Sequence, residues 1–92
     1  MIRFEWDDDK SILNIQKHDV TFQEAQSVFY DENAVLFFDQ HHSEDEERFI
    51  LLGLSNRLRM LVVVHCFRES DSTIRLISAR KATKNEVKYY GG

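Results

Sequence analysis

Two arginines and a histidine are the residues of this sequence best suited to chemistry on a phosphate group. Arg48 precedes one apolar run, His65 lies near the end of the longest, and Arg75 lies in the next. Two guanidinium groups can hold a phosphate through forked hydrogen bonds. A histidine between them can transfer a proton near neutral pH. The alternative is that all three are merely exposed polar residues.

The hairpin turns decide whether these three side chains meet. If one turn centres on Asn56-Arg57 and the next on Ser70, Arg48 pairs with His65, and His65 pairs with Arg75. Directly opposed residues share a sheet face, so this register predicts a row across three adjacent strands. A slip of one residue in either turn would break the row.

The end of the chain adds cations and aromatic rings to this set: Arg80, Lys81, Lys84, Lys88, Tyr89 and Tyr90. Aromatic rings beside cations can stack on bases, although one tyrosine could instead dock the last helix. Glu86 is a candidate general base, but its spacing from Thr83 also fits a helix-capping box. The same register puts Arg80 on the opposite sheet face, where it could anchor that helix.

Charge is divided unevenly along the chain. Residues 1–47 carry a formal net charge of −10 and residues 48–92 carry +6, within an overall charge of −4. A basic half favours a polyanionic partner. The alternative is that the two halves attract each other within the fold.

Other kinds of site have less support. His41-His42, with Asp39, Glu44 and Asp45, could attract a metal, but adjacent histidines lack the spacing that aims two imidazoles at one ion. A single cysteine, Cys66, excludes an internal disulfide and a multi-cysteine zinc site. No glycine-rich phosphate loop or nucleophile elbow is present. We therefore expect no metal and no cofactor, with a metal-dependent enzyme as the weakest alternative.

Composition predicts one globular domain spanning residues 1–92. The chain is 42% apolar and 30% charged, which is typical of a folded domain of this length. No apolar run approaches the ~20 residues of a membrane-spanning helix, and no signal peptide opens the sequence. We expect a cytoplasmic protein without membrane contact.

Caps and apolar periodicity predict the elements that position these side chains. Strands are expected at residues 2–6, 34–38, 49–54, 58–67 and 73–79. Helices are expected after Asp7-Asp8-Asp9 and at two capping boxes, Thr21 to Glu24 and Thr83 to Glu86. Ile12, Leu13 and Ile15 form the predicted apolar side of the first helix. The order β-α-α-β-β-β-β-α predicts an α+β fold, an antiparallel meander with two N-terminal helices on one face and a short terminal helix.

Three stretches of the chain carry a family resemblance. They are Phe4-Glu5-Trp6-Asp7 with Lys10, Asn14 and Lys17-His18-Asp19-Val20-Thr21-Phe22-Gln23-Glu24-Ala25, then Glu46-Glu47-Arg48-Phe49-Ile50 with Gly53, then Ile74-Arg75-Leu76-Ile77-Ser78-Ala79-Arg80-Lys81-Ala82-Thr83 with Glu86 and Tyr89. Through them nearly the whole chain resembles the BrnT toxins. The family usually has glycine where this chain has Asp19, which suits a left-handed helix end less well.

The resemblance implies a fold and an activity. BrnT proteins are ribonuclease toxins of bacterial type II toxin–antitoxin systems, with a RelE-like fold. It implies metal-independent cleavage, in which the ribose 2′-hydroxyl attacks the adjacent phosphate. Arg48, Arg75 and Arg80 would then bind the phosphate, and His65 would lead proton transfer with Glu86 second. Lys81, Lys84 and Tyr89 would bind RNA, with Tyr89 stacking on a base.

The resemblance also implies partners. They are a BrnA-like antitoxin with a ribbon-helix-helix region, the RNA substrate, and operator DNA reached only through the antitoxin. Basic residues of the antitoxin could bind the acidic half of this chain. The alternative function is a catalytically inactive relative that serves as an antitoxin-binding co-repressor.

Overall fold

The helices and strands follow one another in the predicted order. The computed structural model describes residues 2–42, 46–68 and 72–91. Its elements are β1 (Arg3–Glu5), α1 (Asp8–His18), α2 (Phe22–Ser27), β2 (Val35–Phe38), β3 (Phe49–Leu54), β4 (Met60–Arg68), β5 (Thr73–Lys81) and α3 (Lys84–Val87), with 3₁₀ turns at Val28–Tyr30 and Gln40–His42. The predicted element order and α+β class are confirmed. No helix in the described ranges is long and apolar enough to cross a membrane.

The five strands form one mixed sheet in the order β1-β5-β4-β3-β2. Strands β2 to β5 pair antiparallel, as the predicted meander requires. Strand β1 instead pairs parallel with β5, and only over Thr73 to Arg75. The rest of the β5 edge is therefore left to α1.

The core lies on one side of the sheet, which we call the helix side. Its buried residues are Val20, Phe22, Ala25 and Val28 from α2 and its flanks, with Leu51, Leu61, Val63, Ile74, Leu76 and Ala79 from the strands. Each inward residue alternates with one directed to the other surface, the open face. Burying these apolar groups fixes which side chains of each strand remain for the open face.

Helix α1 begins as predicted but packs through a different side. Asp7 caps its start, where its carboxylate accepts hydrogen bonds from the amides of Asp9 (2.8 Å) and Lys10. The predicted apolar side is wrong, because Ile12, Leu13 and Ile15 are 54%, 50% and 43% exposed. In their place the helix buries a polar residue.

That residue is Asn14, which substitutes for a neighbouring strand. Its side-chain oxygen accepts from the amide of Ala79 at 3.0 Å, and its nitrogen donates to the carbonyl of Ala79 at 2.9 Å. The same nitrogen donates to the carbonyl of Val20 at 2.8 Å. A buried peptide group needs such partners, so α1 meets β5 through an amide rather than through apolar side chains.

The two predicted capping boxes differ in outcome. Thr83 and Glu86 form a complete box at α3. At α2, Thr21 accepts from the amide of Glu24, but the Glu24 carboxylate turns away and binds the Arg59 guanidinium and the Ser55 hydroxyl. Hydrogen bonding to Arg59 lowers the pKa of this buried carboxyl. Glu24 thereby ties α2 to the β3–β4 turn.

The predicted register of the first hairpin is wrong by one residue. His65 pairs with Phe49 rather than with Arg48. Leu58 adopts a left-handed conformation, with φ of 59°, and the amide of Ser55 donates to the carbonyl of Arg59 at 2.9 Å. This makes a three-residue loop closed by a left-handed residue, a common hairpin type. The extra loop residue shifts every pair in β3 and β4.

The second predicted register is also wrong. Val64 pairs with Ser78, but His65 pairs with Leu76, so Ile77 is an extra residue in β5. On the turn side of this bulge, Arg75 lies opposite Cys66 rather than His65. The predicted turn centre, Ser70, lies outside the described residues. The row Arg48–His65–Arg75 therefore does not form.

Replacing Asn14 tests its role as a substitute strand. Asn14→Ala leaves three backbone groups without their partner, and we expect it to lower the free energy of unfolding by about 3 kcal/mol. The exposed Gln16→Ala is the control, with an expected change within about 0.5 kcal/mol. Urea unfolding of both variants measures the difference. Equal stability of the two variants would contradict the assigned role.

Candidate active site

A groove on the open face brings two of the predicted arginines together. It has a volume of about 330 Å³. Its lining residues are Asp39, Arg48, Ile50, Val62, Val64, Ile77, Ser78 and Arg80. We call it the arginine groove. Its apolar floor comes from three central strands, and its two guanidinium groups come from the start of β3 and the end of β5.

The bulge at Ile77 explains why Arg80 lies in this groove. In an uninterrupted strand, Arg75 and Arg80 would be directed to opposite faces, because side chains alternate. The additional residue reverses the alternation beyond Ile77. Arg80 is thus brought to the open face, and the prediction that it lies on the other face is wrong.

Arg80 is held by Glu86 of α3. Its two terminal nitrogens donate to the two carboxylate oxygens at 2.8 and 2.7 Å. The amide of Thr83 also donates to Glu86, at 2.8 Å. The Arg80 hydrogen bonds are the main reason that the pKa of Glu86 falls to about 2. Arg80 therefore both lines the groove and anchors α3, the two roles that the sequence left open.

The two tyrosines after α3 have separate positions. The Tyr90 hydroxyl donates to the Asp31 carboxylate at 2.7 Å and docks the chain end. Tyr89 is 63% exposed, and its ring centroid lies 6.3 Å from that of Phe37. The rings of Tyr89 and Phe37, together with Glu86, border a cavity of about 150 Å³. This cavity shares Ile50 and Val62 with the arginine groove. An aromatic surface thus adjoins the two arginines.

Arg48 lies at the other end of the groove. Its backbone carbonyl accepts from the amide of Asp39 at 2.9 Å, which ties the strand start to the end of β2. Its Nε atom is 3.8 Å from a carboxylate oxygen of Glu46. Both Arg48 and Glu46 are partly exposed, so this pair contributes little stability.

The remaining predicted cations lie outside the groove lining. Arg75 donates to the Glu5 carboxylate at 2.9 Å, and Arg68 approaches the same carboxylate at 3.8 Å. Lys81 and Lys84 are exposed at the end of β5 and the start of α3, close in sequence to Arg80. Arg75 is therefore held by β1. Lys84 lies on α3, the helix that carries Glu86, whereas Lys81 pairs with the core residue Leu61 and is directed to the helix side.

His65 lies on the helix side, away from the arginines. Its side chain is fully buried, and its ring packs at centroid distances of 4.8 Å from Phe29 and 5.4 Å from Phe67. Nδ1 is 3.2 Å from the carbonyl of Val63, and Nε2 has no hydrogen-bond partner among the described residues. Burial lowers the pKa of this imidazole. The geometry gives no support to His65 as the proton-transfer group.

The alternative of a metal-dependent enzyme requires several metal ligands to lie close together, and the described ranges contain no such group. No three His, Cys, Asp or Glu side chains lie together there in a metal-binding arrangement. Glu44 and Asp45, which the alternative also used, lie outside the described residues. Burial also raises the pKa of the Cys66 thiol.

Comparison with known proteins decides the family. The model described as "Ribonuclease toxin, BrnT, of type II toxin-antitoxin system" matches residues 6–86. The chain belongs to the BrnT family. A comparison with curated proteins finds no match.

A solved structure confirms the fold expected of a BrnT protein. The crystal structure of the ribonuclease toxin BrnT of Brucella abortus matches with a TM-score of 0.71 and 23% sequence identity. The match covers 91% of this chain and 100% of that chain. Agreement at this identity concerns the fold. The RelE-like relation stays a prediction.

Sequence reasoning about this BrnT chain missed three cations at the edge of β5. Lys10, Lys17 and His18 border a second groove with Ile77 and Ser78. A signal was present, because Lys10, Asn14 and Lys17 recur at the spacing of one helix side. The apolar residues Ile12 and Ile15 lie on the other side of the helix, whereas Leu13 borders this groove.

The buried imidazole predicts a pH-dependent stability. The pKa of His65 lies below its ordinary value of 6.5. Between these two pKa values, the unfolded chain binds a proton at this imidazole and the folded chain does not. We expect its contribution to be fully present above about pH 6.5 and to be lost as the pH falls toward the lowered pKa. Urea unfolding between about pH 5 and 8 measures this.

The matched variant is His65→Phe, which keeps a ring in the aromatic cluster but cannot titrate. Its stability should vary less across this range than that of the wild-type chain. Parallel pH profiles of the two chains would assign the dependence to groups other than His65.

Proposed function

We propose that this chain is an endoribonuclease whose scissile phosphate binds in the arginine groove. The observation that carries the proposal is the position of Arg48 and Arg80 on one face, bordering one groove. Two guanidinium groups match the geometry and charge of a phosphodiester. The apolar floor between them lowers the local polarity and strengthens those contacts.

The proposed chemistry uses the ribose itself as nucleophile and needs no metal. The 2′-oxygen attacks the adjacent phosphorus, the bond to the 5′-oxygen breaks, and a 2′,3′-cyclic phosphate and a 5′-hydroxyl result. Negative charge increases on the phosphate oxygens in the transition state. Arg48 and Arg80 would stabilise that charge, which is the largest contribution that a preorganised site makes.

Glu86 is the proposed general base. While Arg80 donates to both of its oxygens, the low pKa of Glu86 makes it a poor base. A phosphate that accepts hydrogen bonds from the Arg80 nitrogens would displace the Glu86 carboxylate from those donors. The carboxylate then regains a higher pKa and can accept the 2′-hydroxyl proton. Solvent in the open groove can supply the proton that the leaving 5′-oxygen needs.

Neighbouring residues would position the RNA. Tyr89 presents an exposed ring beside the groove, suited to stacking on a base. Lys84 adds an exposed cation at the start of α3, whereas Lys81 remains a secondary candidate because it is directed to the helix side. Arg75 remains a secondary candidate because Glu5 holds it. His65 is left out of the proposed mechanism because it is buried on the helix side.

Arginine variants test the groove. Arg48→Ala and Arg80→Ala should each lower the single-turnover cleavage rate of a single-stranded RNA by about 10²–10³-fold, since each removes a donor to the developing charge. Arg80→Lys should rescue poorly, because lysine lacks the forked geometry. Glu86→Gln should lower the rate and abolish the acidic limb of the pH–rate profile.

The control is Arg57→Ala, which removes one exposed positive charge from the β3–β4 turn, outside both grooves. It should retain the wild-type rate. Cleavage should persist with a chelator present and should fail on RNA methylated at the 2′-oxygen. A wild-type chain that cleaves no RNA, yet represses its operator together with an antitoxin, would establish the inactive co-repressor instead.

The antitoxin of this family member is proposed to be a BrnA-like ribbon-helix-helix protein that binds the outer side of α1. That side presents Ile12 and Ile15, both about half exposed, next to the exposed carboxylates of Asp8 and Asp9. Apolar groups among acidic ones suit a basic, amphipathic partner segment. Operator DNA would be bound only through this partner.

Salt and substitution test that interface. The affinity for the antitoxin should fall as salt rises, because charge attraction over a partly exposed surface is screened. Ile12→Ala and Ile15→Ala together should weaken binding, whereas Arg57→Ala should not. Isothermal titration at several salt concentrations measures both effects. A salt-independent affinity that the double variant leaves unchanged would place the antitoxin elsewhere.

A further inference from the structure

A second groove runs along the edge of β5, between the strand and α1. It has a volume of about 180 Å³. Its helix border consists of Lys10, Leu13, Asn14, Lys17 and His18, and its strand border consists of Ile77 and Ser78. We call it the lysine groove. Among the described residues that line it there is no carboxylate.

The lysine groove continues into the arginine groove. Ile77 and Ser78 line both of them. These are the bulge residue and its neighbour, the point where the alternation of β5 is interrupted. Bulges commonly redirect side chains beside functional sites. Here the interruption gives the two grooves a common floor, so one extended ligand can occupy both.

The distribution of charge on α1 supports a ligand in this groove. Asp8, Asp9, Ile12 and Ile15 lie on the outer side, whereas the cations face β5. The first 47 residues contain only three lysines and arginines against thirteen carboxylates. Two of those three cations border this one groove. Their position fits a polyanion that leaves the arginine groove over the β5 edge.

Asn14 makes this arrangement possible. A helix packed on a sheet edge usually buries apolar side chains there. Asn14 instead binds the amide and carbonyl of Ala79, so α1 is held by hydrogen bonds. Lys10 and Lys17 therefore remain exposed on either side of it. Both are available to a ligand without loss of packing.

We propose that Lys10, Lys17 and His18 form a second phosphate-binding subsite, which holds the RNA backbone beside the scissile phosphate. This inference rests on the proposed function, because it extends the same bound strand. Lysine supplies a compact charge to a phosphate. Histidine can donate a hydrogen bond to phosphate oxygen from a ring N–H. The subsite is expected to bind backbone rather than bases, and thus to be independent of sequence.

The salt dependence of binding tests the subsite. The probe is a single-stranded RNA of about eight nucleotides, methylated at every 2′-oxygen to prevent cleavage. Each lost phosphate contact should reduce the slope of log affinity against log salt concentration by about 0.7. We expect this reduction, with a several-fold loss of affinity at low salt, for Lys10→Ala and for Lys17→Ala.

Two controls isolate the effect. Arg57→Ala removes the same charge outside both grooves and should leave the slope unchanged. A dinucleotide, which fills only the arginine groove, should bind all three single-charge variants and the wild-type chain alike. Both lysines are exposed, so circular dichroism should show folded variants.

The outcomes separate this inference from the proposed function. A wild-type chain that binds the longer probe, with lysine variants that match it in affinity and slope, overturns the subsite and leaves the arginine groove intact. Lysine variants that weaken the dinucleotide as much as the longer probe also overturn it, because the effect is then not local. Failure of the wild-type chain to bind either probe contradicts both proposals.

Discussion

One additional residue in β5 determines which side chains of this protein can act together. Strand alternation is strict, so a register change at one point redirects every side chain beyond it. The bulge at Ile77 directs Arg80 to the open face while Leu76 and Ala79 both stay in the core. The hydrophobic demand of the core thus holds the bulge in place. Without the bulge, Leu76 and Ala79 would lie on opposite faces. Either Leu76 would leave the core, or Ala79 would leave it and Arg80 would take its place.

Local signals in the sequence were sufficient for the elements but not for their pairing. The aspartates that begin α1 and the Thr83–Glu86 box act through neighbours two or three residues away, so they can be recognised from sequence alone. Register instead depended on the left-handed conformation of Leu58, a residue type that rarely adopts it. It also depended on the bulge. Neither feature has a compositional mark. The first separates His65 from Arg48, and the second separates it from Arg80.

The buried side of helix α1 was also not predictable from the sequence pattern. Apolar periodicity predicted that Ile12, Leu13 and Ile15 would be buried, but α1 lies along a strand edge. A strand edge presents peptide groups, and peptide groups require hydrogen-bonding partners. Asn14 supplies them, which is a tertiary requirement that a helical pattern does not reveal. The family resemblance identified the chain correctly, whereas the placement of its residues needed the structure.

The two edges of the sheet are unlike each other. One ends in the three-residue β1, and Asn14 occupies the neighbouring stretch of β5. The other is β2, whose Leu36, Phe37 and Phe38 are 38–52% exposed. Short or covered edges resist strand addition, whereas an exposed apolar edge invites it. In the part of the chain described, a further strand can therefore be added only at the β2 edge of the sheet. Two copies joined at β2 would form a closed twofold pair, and fibrous stacking would lack a second adhesive edge.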